Sequence, residues 1–172
     1  MALDLKSLVR EIPDFPKPGI LFRDITPLLG NGPGLREAVR QLAEPFRGKV
    51  DVVVGVESRG FVLGAPVAVH LGTGFALIRK PGKLPAAKIA ASYELEYGTD
   101  TVEMHTDALS VGTRALVVDD LLATGGTASA AIDLVRRLGA EVVACAFLIE
   151  LEGLGGRVRL GAVPVHAVLG YA

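Results

Sequence analysis

Only one cysteine, Cys145, occurs in the 172 residues, so no disulfide can form within the chain, and a reducing cytoplasm is the simplest setting. It lies in VVACAFLIE, an apolar run that points to plain burial. Aromatic residues are scarce, at 5 % against 50 % hydrophobic overall. The core must therefore be built from Val, Leu, Ile and Ala, as in a sheet covered by helices on both faces. Neither sign of charge dominates, with 18 Lys plus Arg, 19 Asp plus Glu and a formal charge of −1. That balance argues against nucleic acid or an anionic membrane as the main partner, while a local basic cluster could still meet a polyanionic small molecule. No segment reaches the roughly 20 apolar residues of a membrane span. The N-terminal MALDLKSLVREIPDF, with its early acids, does not read as a signal sequence. Two phosphate motifs are absent as well. No G-x-x-x-x-G-K-[ST] string occurs, and GVESRG at 55–60 does not supply G-x-G-x-x-G.

What is present is one domain's length of alternating strand and helix patterns. The 21 glycines and 10 prolines exceed what scaffold turns need, and some are expected in loops that approach a ligand closely. Residues 1–34 are Pro- and Gly-rich, with PDFPKPG and GNGPG, and read as a short amphipathic helix at 3–11 followed by a flap. Leu35, Ala38, Val39, Leu42 and Phe46 form a helical stripe. DVVVGV at 51–56 predicts a buried parallel strand, followed by a helix at 60–71 and a strand FALIRK at 75–80. Residues 81–100 read as a long excursion, partly β, and loops of that length in compact domains are usually functional. RALVVDD at 114–120 is a strand, 127–138 a helix with Ala131, Leu134, Val135 and Leu138 inward, 141–151 a strand, and 163–169 a last strand. The alternation predicts an α/β fold, a mostly parallel sheet flanked by helices with right-handed crossovers, as a single domain with a small N-terminal flap.

The most informative segment is VVDDLLATGGT at 117–127. A buried strand brings two acids to its carboxyl end, where open α/β sheets bind ligands, and a glycine turn then opens a helix. Thr124, Gly125, Gly126 and Thr127 can offer backbone N–H groups and hydroxyls to one phosphate, and the helix N-terminus adds about half a positive charge. Asp119 and Asp120 lie within reach of an adjoining sugar, where carboxylates suit vicinal hydroxyls. A phosphate beside a diol describes a 5-phosphoribosyl group. An ordinary strand end, with an Asp pairing a basic neighbour, is the alternative. The segment resembles the signature by which type I phosphoribosyltransferases bind phosphoribosyl pyrophosphate (PRPP). The resemblance implies a parallel sheet with a flap or hood over the base, Asp119 and Asp120 on the ribose hydroxyls, and Ala123, Thr124, Gly125, Gly126 and Thr127 on the 5′-phosphate.

Three further segments, FPKPGILFRDITPLL at 15–29, GVESRGFVLG at 55–64, and RKPGKLP with SYELEYG at 79–98, are similar to adenine phosphoribosyltransferases in order and spacing. The match covers nearly the whole chain. A ring stacked on a flat purine is physically sensible, and the resemblance puts adenine against Phe22, with backbone groups of Leu21 and Arg23 reading the base edge. Phe22 packed on the core, and Arg23 and Asp24 as a local salt bridge, are the alternatives. Arg59 is a natural fork for diphosphate oxygens. The resemblance implies a pyrophosphate loop at Glu57, Ser58 and Arg59. Arg79, Lys80 and Lys83 place three cations within five residues, either a solvated face or a diphosphate contact. In the family part of such a cluster serves the neighbouring subunit's site, so a homodimer is implied.

If the segment is extended, alternation puts Glu94 and Glu96 on the same side. A carboxyl closing over the purine could relay the proton that the attacking ring nitrogen sheds, and closure would exclude water. The resemblance points to Glu96 as the acid/base group and Tyr97 as its loop neighbour, with exposed strand charges as the alternative. Phosphoribosyltransferases for 6-oxopurines typically carry an acid where this chain has Ala123, which favours a 6-aminopurine. His70, His105 and His166 show no ligand spacing with Cys145, so no protein-held metal is expected. Mg²⁺ is expected to arrive on the diphosphate oxygens. Transfer of the phosphoribosyl group to another purine, or a non-catalytic PRPP- or purine-sensing regulator, are the competing functions. The regulator would usually need a DNA-binding region or a basic face that this sequence does not supply.

Overall fold

The structure, a computed structural model, describes residues 3–95 and 98–172. The chain opens on a 3-10 turn, Leu5–Leu8, capped by the Asp4 carboxylate, which accepts from the Lys6 N–H. The helix expected over 3–11 ends there. Arg10–Pro13 leaves as strand β1 and pairs antiparallel with β2, Leu21–Asp24. With Pro13 and Pro16 unable to donate to a helix, a two-stranded ribbon satisfies this backbone instead.

A short helix α1, Thr26–Leu29, leads to α2, Gly32–Ala43. Asn31 caps α2 by accepting from the Gly34 N–H at 2.8 Å, and Pro33 fits the first turn. The predicted stripe is buried at Ala38, Val39, Leu42 and Phe46. Phe46, however, sits on a 3-10 turn, Glu44–Phe46, because Pro45 withholds the N–H that a continuing α-helix needs.

The remaining elements alternate: β3 (Val52–Val56), α3 (Arg59–Leu71), β4 (Gly74–Ile78), a hairpin of β5 (Lys88–Glu94) and β6 (Thr99–His105), β7 (Arg114–Leu122), α4 (Gly126–Arg137), β8 (Glu141–Leu151), a 3-10 turn (Glu152–Leu154), α5 (Gly156–Leu160) and β9 (Val165–Tyr171). Five strands form one parallel sheet in the order β4-β3-β7-β8-β9. Its faces are covered differently. Val53, Leu116 and Val118 pack with Leu42, Leu63 and Val67 from α2 and α3. Val52, Val54 and Val117 pack with Ala131, Leu134 and Val135 of α4. Cover on both sides is why these strands read as apolar runs rather than alternations, and each fully buried Leu or Val contributes about 1.5–3 kcal/mol. Cys145 is fully buried among them, and burial pushes its thiol up to about 12.

The excursion after β4 is a hairpin that continues to His105, past the expected limit at residue 100. Ala91 and Tyr93 of β5 and Val102 and Met104 of β6 are buried against the α4 side of the core. β4 ends at Ile78, so Arg79 and Lys80 leave the sheet at its carboxyl edge. Among the described residues, no helix is long and apolar enough to cross a membrane.

Candidate active site

The carboxyl ends of β3 and β7 border a cavity of about 480 Å³. Glu57, Ser58 and Arg59 line it after β3, Asp119 through Leu122 at the end of β7, and Ala123 through Ala128 along the following loop and helix. Lys80 and the hairpin residues Tyr93, Glu94 and Leu95 complete the wall. Both the size and the position at this sheet edge are those of a small-molecule site.

Gly125 turns the chain into α4 with φ of 82°, a left-handed conformation that costs a side-chain-bearing residue energy. No side chain caps α4. The N–H groups of its first turn, with the partial positive charge of the helix end, are thus available to an anion in the cavity. β7 runs to Leu122, two residues beyond the expected end, so Asp119 and Asp120 belong to its last stretch.

These two acids differ. Asp120 is buried, and its Oδ2 is ion-paired with Arg59 Nε. Asp119 accepts from the Asp120 N–H at 2.8 Å. Burial and the neighbouring Asp120 charge raise its carboxyl well above the ordinary value. The Arg59 guanidinium is pushed upward by its hydrogen bond to Asp120, against the opposing effect of burial. The residues expected at the ribose and at the pyrophosphate are therefore in contact, and Asp120 does pair a basic neighbour.

The Glu57–Ser58 peptide is cis. The Glu57 carboxylate accepts from the Lys80 N–H at 3.0 Å and from Arg79 Nε at 3.1 Å, which lowers its pKa. Arg79 is thus engaged by Glu57 and does not line the cavity, and Lys83 is exposed outside it. Of the three clustered cations only Lys80 lines the wall, ion-paired with Asp100. Tyr93 and Asp100 were not singled out from sequence. The signal for Tyr93 was the alternation of KIAASYE, in which Ala91 and Tyr93 point inward and Glu94 outward.

On the flap, Phe22 is half-buried and meets Phe15 edge to face, with centroids 5.1 Å apart. Arg23 pairs with Glu11 and lies over the Tyr171 ring, 4.1 Å from its centroid, while Asp24 pairs with Arg10 at 3.5 Å. Arg23 and Asp24 are therefore salt-bridged to β1 and not to each other. Leu21, Phe22 and Arg23 do not line the cavity. A backbone hydrogen bond from Thr26 lowers the Asp24 pKa, and Arg59 adds a smaller electrostatic contribution. Glu96 and Tyr97 lie outside the described residues. His70 is 2.9 Å from Glu44, His105 accepts from the Ala86 N–H, and His166 is 2.9 Å from the Gln41 carbonyl oxygen.

A family model described as a phosphoribosyl transferase domain matches residues 30–162. The adenine phosphoribosyltransferase of Acaryochloris marina is 58 % identical over 170 residues, spanning 98 % of this chain and 100 % of that protein. The crystal structure of the adenine phosphoribosyltransferase from Thermoanaerobacter pseudethanolicus superposes with a TM-score of 0.95 at 48 % identity, covering 97 % of this chain and 98 % of that one. That from Saccharomyces cerevisiae, complexed with adenine and D-2,5-dideoxy-2,5-imino-altritol 1,6-bisphosphate, gives 0.91 at 41 % identity over 96 % of each chain.

Proposed function

The chain belongs to the phosphoribosyl transferase family, and from that membership and its full-length relatives we infer that it is a purine-salvage enzyme transferring the 5-phosphoribosyl group of PRPP to adenine, giving AMP and pyrophosphate. One observation carries this reading: a glycine loop opening a helix, a pair of carboxylates, and the cations Arg59 and Lys80 all line a single cavity. These are the three surfaces that the phosphate, the diol and the diphosphate of one PRPP molecule require.

In this proposal the N–H groups of Ala123 through Thr127 take the 5′-phosphate, and Asp119 and Asp120 accept from the ribose hydroxyls. The loop at Glu57, Ser58 and Arg59, with Lys80, faces the diphosphate, and Arg79 acts by holding Glu57. Adenine lies against Phe22, with the backbone of Leu21 and Arg23 at its edge. As a ring nitrogen of adenine bonds to C1 of the ribose, the bond from C1 to the pyrophosphate oxygen breaks. The electron pair leaves with pyrophosphate, whose charge Arg59 and Lys80 oppose. The nitrogen's proton passes to the Glu96 carboxylate, because Ala123 cannot take it, and Tyr97, its neighbour in sequence, supports that role. The base preference follows from the same position.

Mg²⁺ on the diphosphate would neutralise part of the leaving group's charge. Asp119 and Asp120 line the cavity at the end proposed for the ribose, and an ion there would be carried by substrate oxygens and waters. We place the enzyme in the cytosol as a homodimer of single-domain chains, each with its flap over residues 1–34. The lone buried thiol supports the compartment. The dimer is supported by the exposed Val62 and Val69, seven residues apart on one face of α3, and by Lys83, which lies outside its own chain's cavity.

The test is a base panel. Protein, PRPP and Mg²⁺ are mixed in turn with adenine, hypoxanthine, guanine or xanthine, and nucleotide formation is followed. AMP formed from adenine alone is expected. Product from a 6-oxopurine would overturn the base assignment, and PRPP binding without turnover on any base would make the protein a sensor.

A further inference from the structure

Lys80 enters the cavity from the end of β4, but what holds its ammonium comes from the hairpin. Tyr93 and Asp100 are direct cross-strand partners in the hairpin. The Asp100 carboxylate is itself fixed. Its Oδ1 accepts from the Thr101 N–H at 2.8 Å, and its Oδ2 accepts from the Tyr93 hydroxyl at 2.9 Å and pairs with Lys80 Nζ. Tyr93 is buried, and its ring abuts the phosphate loop, so that a Cβ built on Gly126 would lie 2.8 Å from Tyr93 Cδ2. Contacts therefore run from the loop that opens α4, through Tyr93 and Asp100, to the cation across the cavity.

We propose that Asp100 and Tyr93 are positioning residues that hold the Lys80 ammonium, already ordered, at the diphosphate end of the cavity. The inference rests on the phosphoribosyl-transfer function above. A lysine is a flexible four-carbon arm whose rotamers must be frozen before it can grip a ligand. Held on Asp100 by one of its three N–H donors, it keeps two for a diphosphate. Burial alone would lower the Lys80 pKa, but Asp100 and Tyr93 together more than offset this, so the arm stays charged. Among the described residues, the other ionisable groups on the cavity wall are Glu57, Arg59, Glu94, Asp119 and Asp120. The role is distinct from bracing the hairpin, because it acts on one substrate group only.

The reverse reaction separates the two. AMP carries the 5′-phosphate, the ribose and the base, and inorganic pyrophosphate carries only the group facing Lys80. In Asp100→Asn and Tyr93→Phe the KM for pyrophosphate should rise, by about tenfold in Asp100→Asn. The KM for AMP should stay within about twofold, below the size of one lost hydrogen bond. Asp100→Glu should recover part of the loss. The alkaline limb of pyrophosphate use should move to lower pH in Asp100→Asn, as Lys80 loses its counter-charge. Equal changes in both KM values, or a fall in Tm with neither KM altered, would overturn the inference while leaving the proposed function intact. If the wild type showed no turnover, the proposed function would fall instead. Calorimetric titration of pyrophosphate into wild type and Asp100→Asn would then decide, weaker binding in the variant supporting the pair and equal binding refuting it.

Discussion

Gly60 lies directly against the Asp119 carboxylate: a Cβ built on Gly60 would stand 3.0 Å from Asp119 Oδ1 and 2.9 Å from the Val118 carbonyl oxygen. The first turn of α3 can cross the end of β7 this closely only without a side chain, and the obstacle is largely backbone, which cannot rotate away. Gly60→Ala should therefore push α3 and β7 apart, costing about 1–3 kcal/mol. The displaced Asp119 should raise the KM for PRPP. Calorimetry with a PRPP titration checks both, and an unchanged Tm with unchanged PRPP affinity would show that this contact is not limiting.

Asp119 predicts a trade between stability and binding. Its folded-state pKa lies well above the ordinary 3.8, through burial and the adjacent Asp120. The folded protein therefore holds this proton more tightly than the unfolded chain does. The residue weakens the fold increasingly as pH rises from about 3.8 through the raised value, and below that range the penalty disappears. Asp119→Asn keeps the acceptor for the Asp120 N–H and removes the charge. Its Tm at neutral pH should exceed wild type by about 2–4 °C for each kcal/mol relieved, with the gain shrinking toward pH 4, while PRPP binds more weakly. A neutral-pH Tm below wild type would refute the burial penalty.

Cys145 should be chemically silent. It is fully buried, and its thiol is pushed up to about 12 by burial, so thiolate is rare at neutral pH. Alkylation of the native protein should proceed only at the rate of unfolding that exposes β8, and denaturant should accelerate it. Rapid labelling under native conditions would mean that this part of the core opens locally.

Glu96→Ala tests the proton relay. Loss of general acid–base work should reduce kcat by about 10² to 10⁴-fold, while PRPP binding by the cradle and the Asp119–Asp120 pair persists. A wild-type kcat in this variant would remove Glu96 from the mechanism and turn attention to Glu94, which lines the cavity.

The sheet and the glycine loop that opens α4 were legible because their signals are local. DVVVGV, RALVVDD and EVVACAFLIEL are apolar runs with one solution in a two-sided sheet, and ATGGT carries its helix start and left-handed glycine in adjacent positions. What stayed hidden depends on partners distant in sequence. The pairing of Arg10–Pro13 with Leu21–Asp24 overrode a helical pattern. That Arg79 would be held by Glu57 and Lys80 by Asp100 could not be read from a cluster of three cations, because charge type and spacing do not disclose which cation meets a carboxylate across 20 or more positions. Asp100 was hidden for a second reason. β6 carries its inward residues, Val102 and Met104, among polar ones, and only the cross-strand register brings Asp100 to Tyr93.

The flap is anchored where the sequence has no motif, by Tyr171 near the end of the chain. Its ring is buried, with Arg23 at 4.1 Å and the Lys6 ammonium at 4.5 Å from its centroid. Two cations from the N-terminal segment thus hold the flap to β9, and Arg23 directly follows the Phe22 proposed to meet adenine. Removing the ring in Tyr171→Ala should free the flap without touching the cavity wall that faces PRPP. At about 0.5–2 kcal/mol for a cation–π contact, the KM for adenine should rise about 2- to 30-fold, and the KM for PRPP should hold nearly constant. Tyr171→Phe keeps the ring and should behave like wild type. If Tyr171→Ala raised the KM for PRPP as much as that for adenine, the flap would be supporting the whole cavity, and the assignment of the base to Phe22 would lose its mechanical basis.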